Sequence, residues 1–114
     1  MKAESIVRQL GLRPVTERAS LDREVSGGYS GDLLSDVLAN SRNGDLWITL
    51  QTHLNIVAVA SMKELAGVVI VNGRRPEEET VRKAEQEGIP ILLTDLPAFE
   101  VVGRLYALGV KGTK

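Results

Sequence analysis

The chain has 114 residues, 43% of them apolar and 25% charged, with a formal net charge of −1 and no cysteine. That length suits one domain whose core needs no staples, and the lack of cysteine excludes disulfides and thiolate metal sites. Near-neutral charge with one Trp, two Tyr and one Phe excludes a basic nucleic-acid or anionic-lipid surface and a base-stacking platform.

In chain order, Ile6, Val7 and Leu10 share a face and predict a first helix over residues 2–10, stopped by Gly11. Residues 13–16 read as a short strand interrupted by Pro14, and 24–26 as an extended segment. Gly27-Gly28-Tyr29-Ser30-Gly31 reads as a turn, because glycine permits positive φ. A helix over 32–40 follows, with Leu33, Leu34, Val37 and Leu38 on one face, then an Asn43-Gly44 turn and a strand over 45–50 centred on Leu46, Trp47 and Ile48.

Residues 52–65 are β-rich at Ile56-Val57-Ala58-Val59-Ala60 and apolar on every side. Their length, and a position between two strands that need a crossover, predict a helix covered on more than one side. Its apolar excess implies a deep core or a homodimer contact, and the expected two-fold dimer has this helix or the neighbouring loop near its axis. A buried strand over 68–71 ends at Asn72-Gly73. Pro76 opens a helix to Gln86, closed by Gly88, with Glu78–Arg82 and Glu79–Lys83 in favourable i,i+4 order. A strand over 89–93 leads to a last helix from Asp95 and Pro97, with Phe99, Val102 and Tyr106 on its inner face and Gly109 at its end.

This order predicts a single α/β domain over 1–114: a mostly parallel sheet with helices on both faces. Ligands of such sheets bind beyond the carboxyl ends of the strands, here near 27–30, 51–53, 72–74 and 94–95. Gly27, Gly28, Tyr29 and Ser30 before a helix form either a phosphate-cradling loop or a tight turn capped by Ser30 or Asp32. The spacing is neither a Walker A loop nor G-x-G-x-x-G. His53, the only histidine, is either a base oriented by Asp32 or Asp95, or a first-turn residue behind a Thr52 N-cap. Thr49, Gln51, Thr52 and His53 are the centre of any polar cluster there. Arg74 and Arg75 are either anion donors or a solvated loop paired with Glu77 or Glu78. Thr94-Asp95 reads as a helix cap, and Trp47 as a core residue whose N–H needs a partner. Nothing in the spacing calls for a metal or another cofactor.

Several segments together resemble the DRTGG domain family: Asp22-Arg23-Glu24-Val25-Ser26-Gly27-Gly28-Tyr29, Gly31-Asp32-Leu33-Leu34-Ser35-Asp36-Val37, Gly44-Asp45-Leu46-Trp47-Ile48-Thr49, Gln51-Thr52-His53-Leu54-Asn55-Ile56-Val57-Ala58-Val59-Ala60, Glu87-Gly88-Ile89-Pro90 and Phe99-Glu100-Val101-Val102-Gly103-Arg104-Leu105-Tyr106. Ser26 stands where the family name has Thr, which keeps a hydroxyl. The resemblance implies an α/β domain similar to the N-terminal domain of HPr kinase/phosphorylase. It also implies a regulatory, dimer-forming role of the kind found beside nucleotide-binding CBS domains.

The expected function is therefore a regulatory, ligand-sensing homodimer, with a nucleotide or other small anion at Gly28–Ser30 and Thr49–His53, and with a protein partner as a further possibility. The rivals are an assembly module without ligand and, less favoured, a transferase using His53 and Asp32, for which nucleophile, base and orienter cannot be named together. No stretch approaches the ~20 apolar residues of a membrane span, and Met1-Lys2-Ala3-Glu4-Ser5 lacks the apolar run of a signal peptide, so the expected compartment is the cytoplasm.

Overall fold

The three continuous apolar runs become the centre of one sheet. The computed structural model describes residues 1–112, through α1 (Ala3–Leu10), β1 (Arg13–Pro14), β2 (Gly27–Ser30), α2 (Leu34–Asn40), β3 (Asp45–Thr49), α3 (Asn55–Lys63), β4 (Gly67–Ile70), α4 (Glu78–Glu87), β5 (Ile91–Leu93) and α5 (Ala98–Ala107). The sheet order is β1-β5-β4-β3-β2. β2 to β5 are parallel, in a register that aligns Tyr29 with Trp47 and Trp47 with Val68. The edge strand β1 is antiparallel to β5, where Pro14 is tolerated because an edge strand leaves one row of groups unpaired.

From β2 to β5 the order advances one strand at a time, so right-handed crossovers put α2, α3 and α4 on the same face. Their side chains Val37, Ile56, Val57, Ala60 and Ala84 pack on Trp47, Val68, Ile70 and Ile91. The opposite face packs Ala3 and Ile6 of α1 and Val101 and Leu105 of α5 on Leu46, Ile48, Val69 and Leu92. Both faces are thus covered, which is why β3, β4 and β5 are buried at every position.

Several expectations are corrected. Residues 27–30 are a strand, not a turn; Gly27, Gly28 and Gly31 are absent from the positive-φ glycines. Parallel pairing with β3 overrides weak local propensity there. On the helix over 55–63, Ile56, Val57, Val59 and Ala60 are buried against the sheet and the flanking α2 and α4, so that part of its apolar excess is core, while Ala58 and Met62 face solvent. Leu33 is exposed rather than inward. α4 starts at Glu78, two residues after Pro76, and Lys83 pairs with Glu87 instead of Glu79. On α5 the inner face is Val101 and Leu105, whereas Phe99, Val102 and Tyr106 point outward.

Residues 15–26 cross the amino-terminal side of the sheet from β1 at one edge to β2 at the other. This strap is tied down at each step. Thr16 Oγ1 accepts the Ile91 N–H (3.2 Å). Glu85 of α4 accepts the Glu17 and Arg18 N–H groups (2.6 and 2.9 Å). The strap carbonyls of Leu21 and Arg23 accept the Glu4 and Ala3 N–H groups at the start of α1 (both 2.9 Å), supplying partners that a helix start lacks internally.

The two strap N–H bonds, that of Glu17 foremost, hold the Glu85 carboxyl below the ordinary glutamate range. A depressed carboxylate stabilises the fold above its unfolded pKa, and that contribution is lost as pH falls through the folded pKa. Glu85→Gln is therefore expected to lower the melting temperature at pH 7. Melting curves taken from pH 7 down to pH 3 should show the gap to wild type closing below about pH 4.5.

Candidate functional site

At the carboxyl ends of the strands, the polar residues singled out from sequence do cluster, but around Asp32. Its Oδ1 accepts Thr49 Oγ1–H (2.8 Å) and the Leu50 N–H (2.7 Å). Its carbonyl accepts Gln51 Nε2–H (2.8 Å), and Thr49 Oγ1 accepts the Gln51 N–H (3.1 Å). The Thr52 carbonyl accepts Thr80 Oγ1–H (2.9 Å) and the Glu77 N–H (3.3 Å) from the start of α4. His53 Nδ1 accepts the Asn55 N–H (3.1 Å).

Asp32 Oδ1, Thr49 Oγ1, Gln51 Nε2 and His53 Nδ1 are thus each bonded inside the chain. The arrangement braces the β2–α2, β3–α3 and β4–α4 connections against one another. Two cap assignments change as a result. Asp32 holds the β3 end instead of capping α2, and His53, not Thr52, meets a first-turn N–H of α3. Thr94 Oγ1 likewise accepts the Leu96 N–H, while Asp95 pairs with Arg13 (3.3 Å), so neither side chain caps α5. Among the described residues no group of three His, Cys, Asp or Glu is placed to hold a metal, and none of their buried side-chain polar atoms lacks a partner.

A cavity of about 190 Å³ lies elsewhere, between β2 and α5. Gly28, Ser30 and Ile48 form its floor, and Val102, Leu105 and Tyr106 its wall. The segment after α5 closes one side: Gly28 N–H donates to the Lys111 carbonyl (2.9 Å), and Gly28 bridges Gly112 in parallel. A Cβ built at Gly28 would meet only ordinary contacts, 3.7 Å from the Leu46 carbonyl oxygen and from Val110 Cγ1. Lys111 Nζ sits 3.8 Å from the Tyr106 ring centroid, a cation–π contact at the rim.

Of the residues expected at a site, Gly28, Tyr29 and Ser30 line this cavity, while Thr49, Gln51, Thr52 and His53 lie at the strand ends and Gly27 lines neither. The Tyr29 side chain turns to the other face of the sheet, where its hydroxyl donates to Asp36 (2.6 Å), a bond that raises the phenol's pKa. Sequence reasoning missed Lys111 and misoriented Val102 and Tyr106.

Continuous with the cavity wall, α5 shows an apolar stripe to solvent: Phe99 is 88% exposed, Val102 39% and Tyr106 57%. Gly103 lies among them, and a Cβ built there meets nothing within 4 Å.

A family model described as the DRTGG domain matches residues 5–108. No curated protein matches the chain. Among solved structures, the chain is similar to the CBS and DRTGG domains of the regulatory region of Clostridium perfringens pyrophosphatase, a crystal structure complexed with the activator diadenosine tetraphosphate. The TM-score is 0.67 at 13% identity, over 90% of this chain and 44% of that one. This chain therefore spans less than half the length of that protein's chain, and at such identity the likeness is one of fold.

Proposed function

The chain belongs to the DRTGG domain family, and from that premise we propose that it is a non-catalytic regulatory module that pairs with a second copy of itself through α5 and responds to a small anionic ligand. The observation that carries the pairing is the outward stripe Phe99, Val102 and Tyr106 with Gly103 among them.

Three physical arguments support a second copy as the occupant. Apolar residues at i, i+3 and i+7 form one continuous stripe on a helix. An exposed mid-helix glycine costs about 0.5–1 kcal/mol relative to Ala, and nothing within the monomer offsets this, whereas a helix crossing at close approach would use the missing Cβ. A two-fold interface must also be self-complementary. Here the knob, Phe99, and the hole, the cavity beside Val102 and Tyr106, occupy one surface. Two antiparallel α5 helices would bring the Phe99 of each copy towards the hole of the other.

Light scattering at micromolar concentration tests this. Wild type should have twice the monomer mass, and Val102→Glu should halve it with little change in monomer stability, since the side chain is already partly in water. A strictly monomeric wild type at 100 µM concentration, on the order of ten times a 10 µM dissociation constant, overturns the pairing. Gly103→Ala has opposite signs in the two states. It should raise monomer stability by about 0.5–1 kcal/mol through helix propensity and weaken the dimer by filling the contact.

The ligand half of the proposal is supported by the likeness to a regulatory region crystallised with a nucleotide activator. A pure assembly module is the second reading, favoured by the internal satisfaction of the Asp32–Thr49–Gln51 cluster. A ligand module gains thermal stability with ligand; an assembly module responds only to protein concentration.

A further inference from the structure

At the other edge of the sheet, a cleft of about 480 Å³ opens between the start of the strap and α4, lined by Val15, Arg75, Pro76, Glu78, Val81 and Arg82. Val15 follows β1, Arg75 and Pro76 come from the β4–α4 connection, and Val81 and Arg82 sit one turn into α4. The cleft thus joins two stretches of the chain that are far apart in sequence. Its shape is held from below by the Glu85 bonds to the Glu17 and Arg18 N–H groups.

Two features separate this cleft from the α5 cavity. Its volume falls in the ~300–1,000 Å³ range of small-molecule sites, which the other does not reach. Its lining also pairs charge with apolar surface. The guanidinium groups of Arg75 and Arg82 make no ion pair or hydrogen bond among the described residues, and the i,i+4 pairing of Glu78 with Arg82 that the spacing allows is not formed. Both arginines line the cleft and leave their N–H forks without an internal partner. Such forks favour an anion that each grips with two bonds. Val15, Pro76 and Val81 offer an apolar floor on which a carbon body rests. The single carboxylate, Glu78, opposes an anion but leaves the lining with a net positive charge.

We propose that this cleft is the ligand site of the module and that it takes an organic phosphate, a small molecule with an apolar or planar body and a phosphate held by Arg75 and Arg82. The proposal rests on the ligand-responsive half of the reading above and is independent of pairing through α5. It also moves the site from the strand-end cluster, where Asp32 already engages Thr49 and Gln51, to guanidinium groups without a partner among the described residues.

The test is titration of the full chain with adenosine 5′-monophosphate, inorganic phosphate and adenosine, followed by calorimetry and by amide shifts in a two-dimensional NMR spectrum. The monophosphate should bind saturably, with the largest shifts at Val15, Val81 and Arg82. It should bind more tightly than inorganic phosphate or adenosine, and more weakly at 300 mM than at 50 mM salt. Arg75→Ala/Arg82→Ala should weaken it at least tenfold without changing the melting temperature of the free protein, because both side chains are exposed and unpartnered. Arg8→Ala, an exposed arginine of α1, should change nothing. Undiminished binding in the double variant, or shifts centred on Thr49 to His53, overturns the site while leaving ligand response standing. Equal affinity for inorganic phosphate overturns the organic class. No binding of any of the three overturns both the site and the ligand half of the reading.

Discussion

Trp47→Ala is expected to destabilise the domain by about 3–5 kcal/mol, the range for removing a large aromatic from a packed core. Trp47 is 0% exposed and lies in register between Tyr29 on β2 and Val68 on β4. Truncation leaves a void that the covered sheet cannot close by collapse. It also removes the Nε1–H bond to the Gly31 carbonyl (2.8 Å), at the point where β2 gives way to Asp32. Against a total stability of about 5–15 kcal/mol, the variant would stand near the threshold of folding. Trp47→Phe separates the two effects, since it keeps most of the volume and should cost less. Urea midpoints measure both; a loss under about 1 kcal/mol for the alanine variant would mean that β2 and α2 repack into the space.

Arg23→Ala should cost about 2–3 kcal/mol, because its guanidinium serves carbonyls at a helix end. It donates to the Glu64 carbonyl (2.6 Å), the Leu65 carbonyl (3.2 Å) and Asn43 Oδ1 (2.9 Å). Glu64 is the left-handed residue that ends α3, with φ of 54°. Carbonyls at a helix carboxyl end have no partner within the helix, so the arginine acts as a side-chain cap from a distant segment. Lysine in its place reaches fewer of these oxygens and should recover only part of the loss. Asp22→Ala should change the midpoint far less, because Asp22 makes an exposed ion pair with Lys2 (2.7 Å). The two adjacent residues of the family-naming segment would thus separate sharply in a thermal melt. Equal losses would refute the assignment of Arg23 as the cap.

That segment illustrates what could be read from sequence and what could not. Strands β3, β4 and β5 were legible because a doubly covered parallel strand must be apolar at every position, and Leu46–Ile48, Val68–Val71 and Ile91–Leu93 are. The helix ends at Gly11 and Gly88 were legible because a left-handed residue ends each, with φ of 65° and 70°. Strand β2 was not, since Gly27-Gly28-Tyr29-Ser30 has little strand propensity of its own and is extended by pairing on both sides. The facing of α5 was not legible either. The helix carries two apolar stripes, Val101 with Leu105 and Phe99 with Val102 and Tyr106, and only tertiary packing selects the inner one. At the strand ends, Thr49, Gln51 and His53 were singled out by their chemistry, but spacing gives no sign that Asp32 already occupies Thr49 and Gln51. The cleft at the β1 edge joins Val15 to Arg75 and Val81, some sixty residues apart by numbering, a juxtaposition that no local pattern encodes.

The strap also bears on how the molecule opens. A sheet wound one strand at a time could in principle fray from either edge, each βαβ unit loosening alone. Residues 15–26 instead fasten β5, α4, α1, the end of α3 and the β3 turn through a single stretch of chain. Lifting the strap at one step costs the bonds at the next, so partial openings are penalised across the width of the sheet. Amide exchange in β3, β4 and β5 should accordingly follow one shared opening event, with similar protection factors in all three strands.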